Sequence, residues 1–199
     1  MSEIKFFNRW SAQDAKISDP GLAPYVNFTP VIMPKTGARY AQDRFHKSKI
    51  TIVERFMNKL GVVGHKGKKH TTSSGSKTGK AQMHLAIMER TLEIIEQKTK
   101  QNPIAVLVSA IENAAPREEI VAIEYGGARY PKSVECSPQR RIDVTLRNMT
   151  QGASQKAFNT KKGIENALAD EIVAAFNMSS QSAAIQKKFD LERQADSSR

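Results

Sequence analysis

Residues 114–141 read AAPREEIVAIEYGGARYPKSVECSPQRR, the only stretch of the chain with a strand-like period of two. Helical patterns precede it and follow it. Gly126-Gly127 lies at its centre and supplies the two positive-φ residues that a tight two-residue turn requires. We therefore predict a projecting β-hairpin near residues 118–136, with helices arranged on both sides of it.

The Gly-Gly turn also determines which residues face each other across the hairpin. It predicts four pairs, from the tip inward: Tyr125 with Ala128, Glu124 with Arg129, Ile123 with Tyr130, and Ala122 with Pro131. One pair is oppositely charged and one is apolar, and both kinds stabilise a ribbon. Seven residues per strand would extend about 23 Å. Because an isolated two-stranded ribbon is marginally stable in water, we expect the arm to gain order from the helices at its root or from a partner.

The overall composition is typical of one soluble domain. The chain has 199 residues, 39% of them hydrophobic, which is enough for a real core. The longest apolar run, residues 104–108, is too short to span a bilayer, and the N-terminus lacks the apolar segment of a signal peptide. Cys136 is the only cysteine, which excludes an internal disulfide and fits a reducing compartment. We expect a cytoplasmic protein with no membrane partner.

The positive charge is concentrated in one quarter of the chain. The formal net charge is +11, and residues 35–80 hold twelve Lys and Arg against only Asp43 and Glu54. Acidic and basic residues nearly balance elsewhere. A local excess of cations is typical of a surface that binds a polyanion, although a solvated basic loop without a partner is the alternative interpretation.

The first 47 residues differ from the rest because they show little helical periodicity. Their four prolines, at positions 20, 24, 30 and 34, interrupt any helix. We predict an extended basic N-terminal arm over residues 1–47. Trp10, Phe6 and Phe7 are its candidate contacts with the body, most simply as additional core residues.

Residues 48–199 are predicted to form a single helical domain. The expected helix starts are Ser48, Lys80, Asn102-Pro103, Ser137-Pro138, Ile164 and Ala183. An Asn or Ser followed by Pro provides a cap and a suitable first helical residue. The Ser137 helix should end near Gly152, and the last five residues should fray. The predicted fold class is mostly α, a bundle of about six helices with the hairpin arm protruding.

No motif in the sequence predicts an enzyme, a cofactor or a metal site. GSKTGKA, residues 75–81, resembles a phosphate-binding loop but has Ser74 where the first Gly belongs and Ala81 where Ser or Thr belongs. The four histidines offer no helical i, i+4 pair for zinc. Cys136 adjoins a predicted helix N-terminus, which lowers a thiol pKa, but a small packed residue is the simpler interpretation.

The remaining pattern favours binding of a nucleic acid. On a helical wheel Arg140 and Arg147 lie opposite the apolar side of their helix. The loop over residues 64–80 is rich in Gly, Ser and Lys and should be mobile until it binds a ligand. By charge we assign as phosphate contacts Lys35, Lys66, Lys68, Lys69, Lys77, Lys80 and Arg147. Tyr125 or Tyr130 could stack on an unpaired base, or Tyr130 could pack across the strands. These patterns do not choose between RNA and DNA.

Five sequence blocks, in order, carry a family resemblance. They are TGARYAQDRFHKSKITIVERFMN (36–58), NPIAVLVSAIENAAPREE (102–119), YGGARYPKSVECSPQRRIDVTLR (125–147), IENALADEIVAAF (164–176) and AIQKKFDLERQADSSR (184–199). Together they resemble the small-subunit ribosomal protein seven family in its archaeal-eukaryotic form. The likeness covers roughly residues 36–199.

This resemblance implies a binding site and a set of neighbours. It implies a helical body bound to the 3′ major domain of small-subunit ribosomal RNA, where the family nucleates assembly of the head. It also implies that the arm lies near the exit-site transfer RNA, the messenger RNA path and the neighbouring platform protein eleven. Residues matching RNA-facing family positions are Arg39, Arg44, Lys47, Lys49, Arg140 and Arg141, with Gly126, Gly127 and Arg129 at the arm tip, where Tyr130 and Lys132 complete the surface.

One feature of the arm departs from many members of that family. Glu118, Glu119, Glu124 and Glu135 make its shaft less basic. We therefore expect the tip to contact RNA, or the shaft to contact protein, rather than strong binding of phosphates along the shaft.

The alternative function is a winged-helix or arm-type DNA-binding protein, because three helices followed by a hairpin also describe that arrangement. Winged domains place a basic recognition helix just before the wing. Residues 104–113 contain no Lys or Arg, which argues against this alternative.

Overall fold

A computed structural model describes residues 4–39, 41–63 and 78–199 and shows a mostly helical protein. The described residues form seven α-helices and one β-hairpin, which confirms the predicted fold class. The elements are α1 (His46–Lys49), α2 (Ile52–Leu60), α3 (Ala81–Thr99), α4 (Pro103–Ala114), β1 (Glu118–Tyr125), β2 (Ala128–Glu135), α5 (Pro138–Ala157), α6 (Ile164–Phe176) and α7 (Ala183–Asp196). None of these helices is long and apolar enough to cross a membrane.

Helix α6 lies at the centre of the body and packs against α3, α4 and α5. Its sequence, IENALADEIVAAF, is rich in alanine, and Ala167, Ala169 and Ala175 are fully buried. Small side chains allow neighbouring helices to approach closely, while Leu168 and Ile172 fill the spaces between them. The alanine content of α6 therefore explains why three helices can surround it.

The start of α4 is the clearest case of a cap that sequence predicts correctly. Asn102 adopts an extended backbone, and its side-chain oxygen accepts a hydrogen bond from the Ile104 N–H at 3.1 Å. Pro103 occupies the first helical position, where no hydrogen-bond donor is needed. The side-chain amide of Asn102 also donates to the Ser11 carbonyl at 2.8 Å and so ties this cap to the N-terminal segment.

The N-terminal segment lies on the helical body and contributes to its core. Phe6, Trp10 and Leu22 are buried and belong to the same apolar cluster as the helices. Trp10 Nε1 donates to a Glu96 carboxylate oxygen on α3 at 3.1 Å, and Phe7 packs edge-on against the Trp10 ring. The predicted aromatic contacts are therefore core contacts. The predicted boundary at residue 47 stays a prediction.

Two helix boundaries were wrongly predicted. Ser48 lies within the one-turn helix α1, and the cap of α2 is Thr51, whose hydroxyl accepts from the Glu54 N–H. Helix α5 does not end at Gly152 but continues to Ala157. A Cβ atom at Gly152 would lie 2.7 Å from Ala183 Cβ, so glycine is present because α7 begins against it. Ser137 makes no side-chain capping bond.

The hairpin has the predicted register over all four tip pairs and continues to a Glu118–Glu135 pair, so each strand has eight residues rather than seven. Gly126 and Gly127 have φ values of 58° and 81°, as the tight turn requires. Residues 118–120 are half-buried at the root, where α7 packs against β1, and the rest of β1 is exposed. The hairpin therefore projects from the body.

The C-terminal residues contact the root of the hairpin, and the fraying expected for the last five residues stays a prediction. Helix α7 continues to Asp196, and the Arg199 side chain donates to Glu118 at the hairpin root at 2.7 Å. Glu118 also accepts from the Ser133 hydroxyl at 3.0 Å. The last residue of the chain is thus attached to the base of the arm.

Candidate nucleic-acid interface

Asp143 on α5 gathers three cations from two other helices. Its carboxylate lies 3.0 Å from Lys47 Nζ on α1, 3.2 Å from Arg55 Nη2 and 3.7 Å from Lys59 Nζ, both on α2. We call these four residues the Asp143 cluster. Three cations share one carboxylate, so the cluster retains an excess of positive charge.

Local helix geometry explains why these residues meet. Arg55 and Lys59 are four positions apart and therefore lie on one side of α2. Arg55 is 2% exposed, and it also donates to the Tyr25 carbonyl at 3.3 Å and the Gln139 carbonyl at 3.2 Å. Arg55 is thus a structural cation that joins three segments. Lys47 and Lys59 are partly exposed and remain accessible to a ligand.

The pKa values in the cluster show how strongly its members interact. Burial of Asp143 favours the neutral acid, but the charge of Arg55 and the contacts with Lys47 and Lys59 outweigh this effect, so its pKa is lowered. Burial lowers the pKa of Lys59, an effect that Asp143 opposes and that Lys47 and Arg147 reinforce. Arg147 therefore lies near enough to Lys59 to repel it.

Several predicted contact residues are exposed cations with no ion-pair partner among the described residues. They are Lys35, Arg39, Arg44, Lys80 and Arg147. Arg147 lies two turns along α5 from Arg140 and one turn from Asp143, so it extends the basic surface of the cluster. We call Lys47, Lys59 and Arg147, on α1, α2 and α5, the basic face.

Two further predicted residues lie at the two ends of α1: Lys49 is its last residue, and Arg44 is on the chain leading into it. Lys49 pairs with Asp43 at 2.5 Å, and both side chains are more than half exposed. The Arg44 guanidinium lies 5.1 Å from the centre of the Phe45 ring, which is itself exposed. A cation beside an exposed aromatic ring offers both charge and a stacking surface, the combination that single-stranded nucleic acids bind.

Arg140 and Arg141 are neighbours in sequence but occupy different environments. Arg140 is exposed and pairs with Glu119 at the arm root, with Nη2 donating to a carboxylate oxygen at 2.6 Å. Arg141 is mostly covered, and it donates to the Pro116 carbonyl at 3.1 Å and to Asp19 at 2.9 Å. Arg141 therefore holds the N-terminal segment against the hairpin root. Any contact of Arg141 with RNA stays a prediction.

The arm tip presents side chains that the body does not cover. Tyr125 is 81% exposed and Tyr130 is 58% exposed. Arg129 lies 3.6 Å from its cross-strand partner Glu124, with both side chains largely exposed, and Lys132 is exposed. The tip therefore offers aromatic rings and cations on a turn whose backbone is fixed by Gly126 and Gly127.

Two of the four shaft glutamates, Glu118 and Glu119, pair with cations of the body. Glu119 pairs with Arg140, and Glu118 with Arg199 and Ser133. Side-chain hydrogen bonds from Arg199 and Ser133 lower the pKa of Glu118. The shaft thus repels an anion less strongly than its sequence indicates.

Cys136 is a packed residue rather than an activated thiol. Its side chain is buried behind the hairpin root, and burial together with the charge of Glu119 raises the pKa of its thiol to about 11. The neighbouring helix N-terminus does not overcome these effects.

The lysine-rich loop predicted to bind phosphates lies mostly outside the described residues. The range 64–77, which includes Lys66, Lys68, Lys69 and Lys77, lies outside the described residues. The predicted mobility of this loop lies outside them too. Lys80 is described and is exposed just before α3.

Sequence reasoning missed Lys59, Arg55 and Asp143 as members of the site. A signal was present, because Arg55 and Lys59 on α2 and Asp143 and Arg147 on α5 both have i, i+4 spacing. That spacing places two charges on one helix side but does not reveal that α2 and α5 meet there.

Helix α4 cannot act as the recognition helix of a winged DNA-binding domain. Ile104, Val106, Leu107 and Ile111 are all buried, and α4 packs against α3, α5, α6 and α7. A helix covered on several sides has no face to place in a DNA groove.

The family model and the most similar relatives found by comparison with known proteins indicate the same family. The family model described as ribosomal protein S7p/S5e matches residues 24–199. The chain is 50% identical to small ribosomal subunit protein uS7 of Nanoarchaeum equitans over 197 residues, covering 99% of this chain and 100% of that protein. It is 45% identical to uS7 of Methanococcus maripaludis (99% and 100%) and 40% identical to uS7 of Methanococcoides burtonii (98% and 99%).

Proposed function

The chain belongs to the ribosomal protein S7p/S5e family, and from this membership we propose that it binds the 3′ major domain of small-subunit ribosomal RNA and nucleates assembly of the head. The family is one of structural ribosomal proteins, so the chain is not an enzyme. Its relatives are named as components of the small ribosomal subunit, and we place this chain in the same cytoplasmic particle.

The observation that carries the proposal is the basic face formed by Lys47, Lys59 and Arg147. Helices α1, α2 and α5 hold these cations in fixed positions around Asp143, and the exposed Arg44 and Lys35 lie on the segment that leads into α1. Fixed cations bind phosphates and release counterions, which is the main source of affinity for nucleic acid.

We assign the hairpin arm a positioning role near the exit-site transfer RNA, the messenger RNA path and platform protein eleven. The exposed Tyr125, Arg129, Tyr130 and Lys132 at the tip support this assignment, as does the projection of the arm from its root. Because Glu118, Glu119 and Glu124 are paired with Arg199, Arg140 and Arg129, few cations of the arm are left for phosphates, and the arm adds little to RNA affinity. The basic face supplies most of it.

The test is a competition experiment with a head-domain RNA fragment and duplex DNA of equal length. We expect preference for the RNA fragment and a fall in log K with log salt of about 0.7–0.9 per phosphate contact. The protein should also co-sediment with small ribosomal subunits at moderate salt. Preference for duplex DNA would overturn the proposal.

A further inference from the structure

An open groove lies beside the hairpin root, where the N-terminal segment, the end of α4 and helix α7 meet. Its volume is about 580 Å³, which is within the range of about 300–1,000 Å³ that is usual for binding sites. The side chains that decide its chemistry are Asp19, Pro20, Glu112, Arg117, Met178 and Lys188.

The two carboxylates of the groove already have partners inside the protein. The Glu112 carboxylate accepts from the Ser18 N–H at 3.2 Å and from the Asp19 N–H at 2.8 Å. Asp19 pairs with Arg141 at 2.9 Å, and its other carboxylate oxygen accepts from the Gly21 N–H at 2.8 Å. Both acidic groups therefore hold the wall of the groove together.

Two cations of the groove have no carboxylate partner among the described residues. Lys188 is half-buried, and its ammonium donates to the Asn113 carbonyl at 2.8 Å. An ammonium has three N–H donors, so donors remain for a ligand. Arg117 is exposed, and its guanidinium makes no hydrogen bond or ion pair with any described residue. The groove thus has unused donors of positive charge.

The charges around Lys188 favour the addition of an anion. Burial lowers the pKa of Lys188, an effect that Glu192 opposes and that Arg117 and Arg141 reinforce. The ammonium therefore lies near enough to two guanidinium groups to be repelled by them. A negative group between Arg117 and Lys188 would stabilise both cations.

We propose that this groove docks a peptide segment of another protein of the small subunit, with one carboxylate between Arg117 and Lys188 and an apolar side chain against Pro20 and Met178. Met178 is 62% exposed, and Pro20 is exposed beside it in the lining. Methionine adapts to apolar partners of varied shape, and both Met and Arg are enriched at protein interfaces. The proposal goes beyond RNA binding but rests on the placement of this chain in the small subunit, proposed above.

RNA fits this groove less well than a peptide does. A strand of RNA carries a phosphate at every nucleotide, so a strand in the groove would bring further phosphates toward Asp19 and Glu112, which repel them. The described lining also contains no aromatic ring on which a base could stack. A peptide supplies a single carboxylate together with an apolar side chain.

The test is carbodiimide crosslinking of purified small subunits that contain this chain, followed by mass spectrometry. The reagent joins an amine to a carboxylate in contact with it, with loss of water, so the product at Lys188 identifies the group that lies beside it. We expect an amide between Lys188 and an Asp, Glu or C-terminal carboxylate of another protein. If Lys188 is joined to no carboxylate, or only to Glu192 of its own chain, the proposal is overturned.

Arg117→Ala assigns the crosslink to docking in the groove. The yield at Lys188 should fall roughly threefold or more, because one of the two cations that hold the carboxylate is removed. Arg193→Ala, which removes another exposed arginine from α7, is the matched control and should leave the yield unchanged. Equal yields in the two variants would overturn the proposal.

Acetylation of lysine amines keeps the other outcomes distinct. Lys188 should react several-fold more slowly in small subunits than in the free protein, because the docked segment covers it. Protection of Lys188 without a crosslink to protein would place RNA in the groove, and equal reactivity in the two states would show that nothing docks there. Either result overturns the proposal, whereas absence of the chain from purified small subunits would refute the proposed function.

Discussion

Lys156 Nζ donates to the carboxylate of Glu171 at 2.7 Å, where α5 meets α6, and Glu171 is fully buried. The same carboxylate accepts from the Ser182 hydroxyl at 2.8 Å and the Ala184 N–H at 3.1 Å, at the start of α7. One side chain of the central helix thus fixes the ends of two neighbours.

Replacing Glu171 by Ala should destabilise the protein by about 2–4 kcal/mol, because the buried Ser182 hydroxyl and Ala184 N–H lose their acceptor, while Lys156 can still reach water. Urea unfolding followed by circular dichroism measures the change. Glu124→Ala at the exposed arm tip is the control and should cost less than about 1 kcal/mol. Equal stability of the two variants would contradict this account of Glu171.

Gly152→Ala should also destabilise the protein, although alanine normally favours a helix by about 1 kcal/mol. The new Cβ would lie 2.7 Å from Ala183 Cβ, so α5 and α7 must separate. We expect a loss of about 1–3 kcal/mol from overpacking, visible as a lower Tm. Gln155→Ala, on the exposed side of the same helix, should leave Tm unchanged or raise it. A stabilised Gly152→Ala variant would show that the helices do not approach as described.

Arg147→Ala and Arg141→Ala should separate binding from folding. Loss of Arg147 should weaken binding of the head-domain RNA fragment, reduce its salt slope by roughly 0.7–0.9 for one phosphate contact and leave Tm unchanged. Loss of Arg141 should lower Tm, because its contacts with Pro116 and Asp19 are internal. The combined Lys59→Ala, Arg147→Ala protein should reduce the slope further. An unchanged slope in that double variant would exclude the basic face from RNA binding.

The pKa of Asp143 predicts a specific acid dependence of stability. Although burial raises this pKa, the charges of Arg55, Lys47 and Lys59 lower it overall. The ionised group therefore stabilises the fold above the unfolded-state pKa of about 3.9. This stabilisation is lost as pH falls through the lower folded-state value.

The Asp143→Asn variant should be less stable than the wild type at pH 7 and should lose less stability between about pH 5 and pH 2. Unfolding curves across that pH range give the comparison. Asp190→Asn, at an exposed position on α7, is the control. If the stabilities of Asp143→Asn and the wild type fell in parallel with pH, Asp143 would not be the source of this acid dependence.

The Cys136 thiol should react slowly with alkylating reagents in the folded protein. Burial and Glu119 raise its pKa to about 11, so at pH 8 it contains on the order of a hundredfold less thiolate than a free cysteine. Iodoacetamide labelling followed by mass spectrometry should show slow modification that becomes fast in urea. Rapid labelling of the folded protein would indicate an exposed, activated thiol.

The hairpin could be predicted in detail because its information is local. A two-residue Gly-Gly turn allows one register, and the pairs from Tyr125–Ala128 to Ala122–Pro131 follow from counting. The Asn102-Pro103 start of α4 is local in the same sense, since cap, proline and first turn are adjacent.

The errors arose where a distant residue decides the outcome. By its sequence alone Gly152 predicts a helix end, but the glycine is explained by the close approach of Ala183. Arg140 and Arg141 are indistinguishable by charge, and only the position of Asp19 shows that Arg141 faces inward. The Asp143 cluster requires α1, α2 and α5 to meet, which no single segment of the sequence specifies.

The body covers β1 only at residues 118–120, and the remaining five residues of β1 are exposed. Successive cross-strand pairs face opposite sides of such a ribbon. Removing one pair would therefore turn the aromatic side of the tip, with Tyr125 and Tyr130, away from whatever it now faces. Removing two pairs would return the aromatic side of the tip to its original direction and shorten the arm by about 7 Å. Arm length in this fold is thus adjustable only in steps of two pairs if the tip is to keep facing the same neighbour.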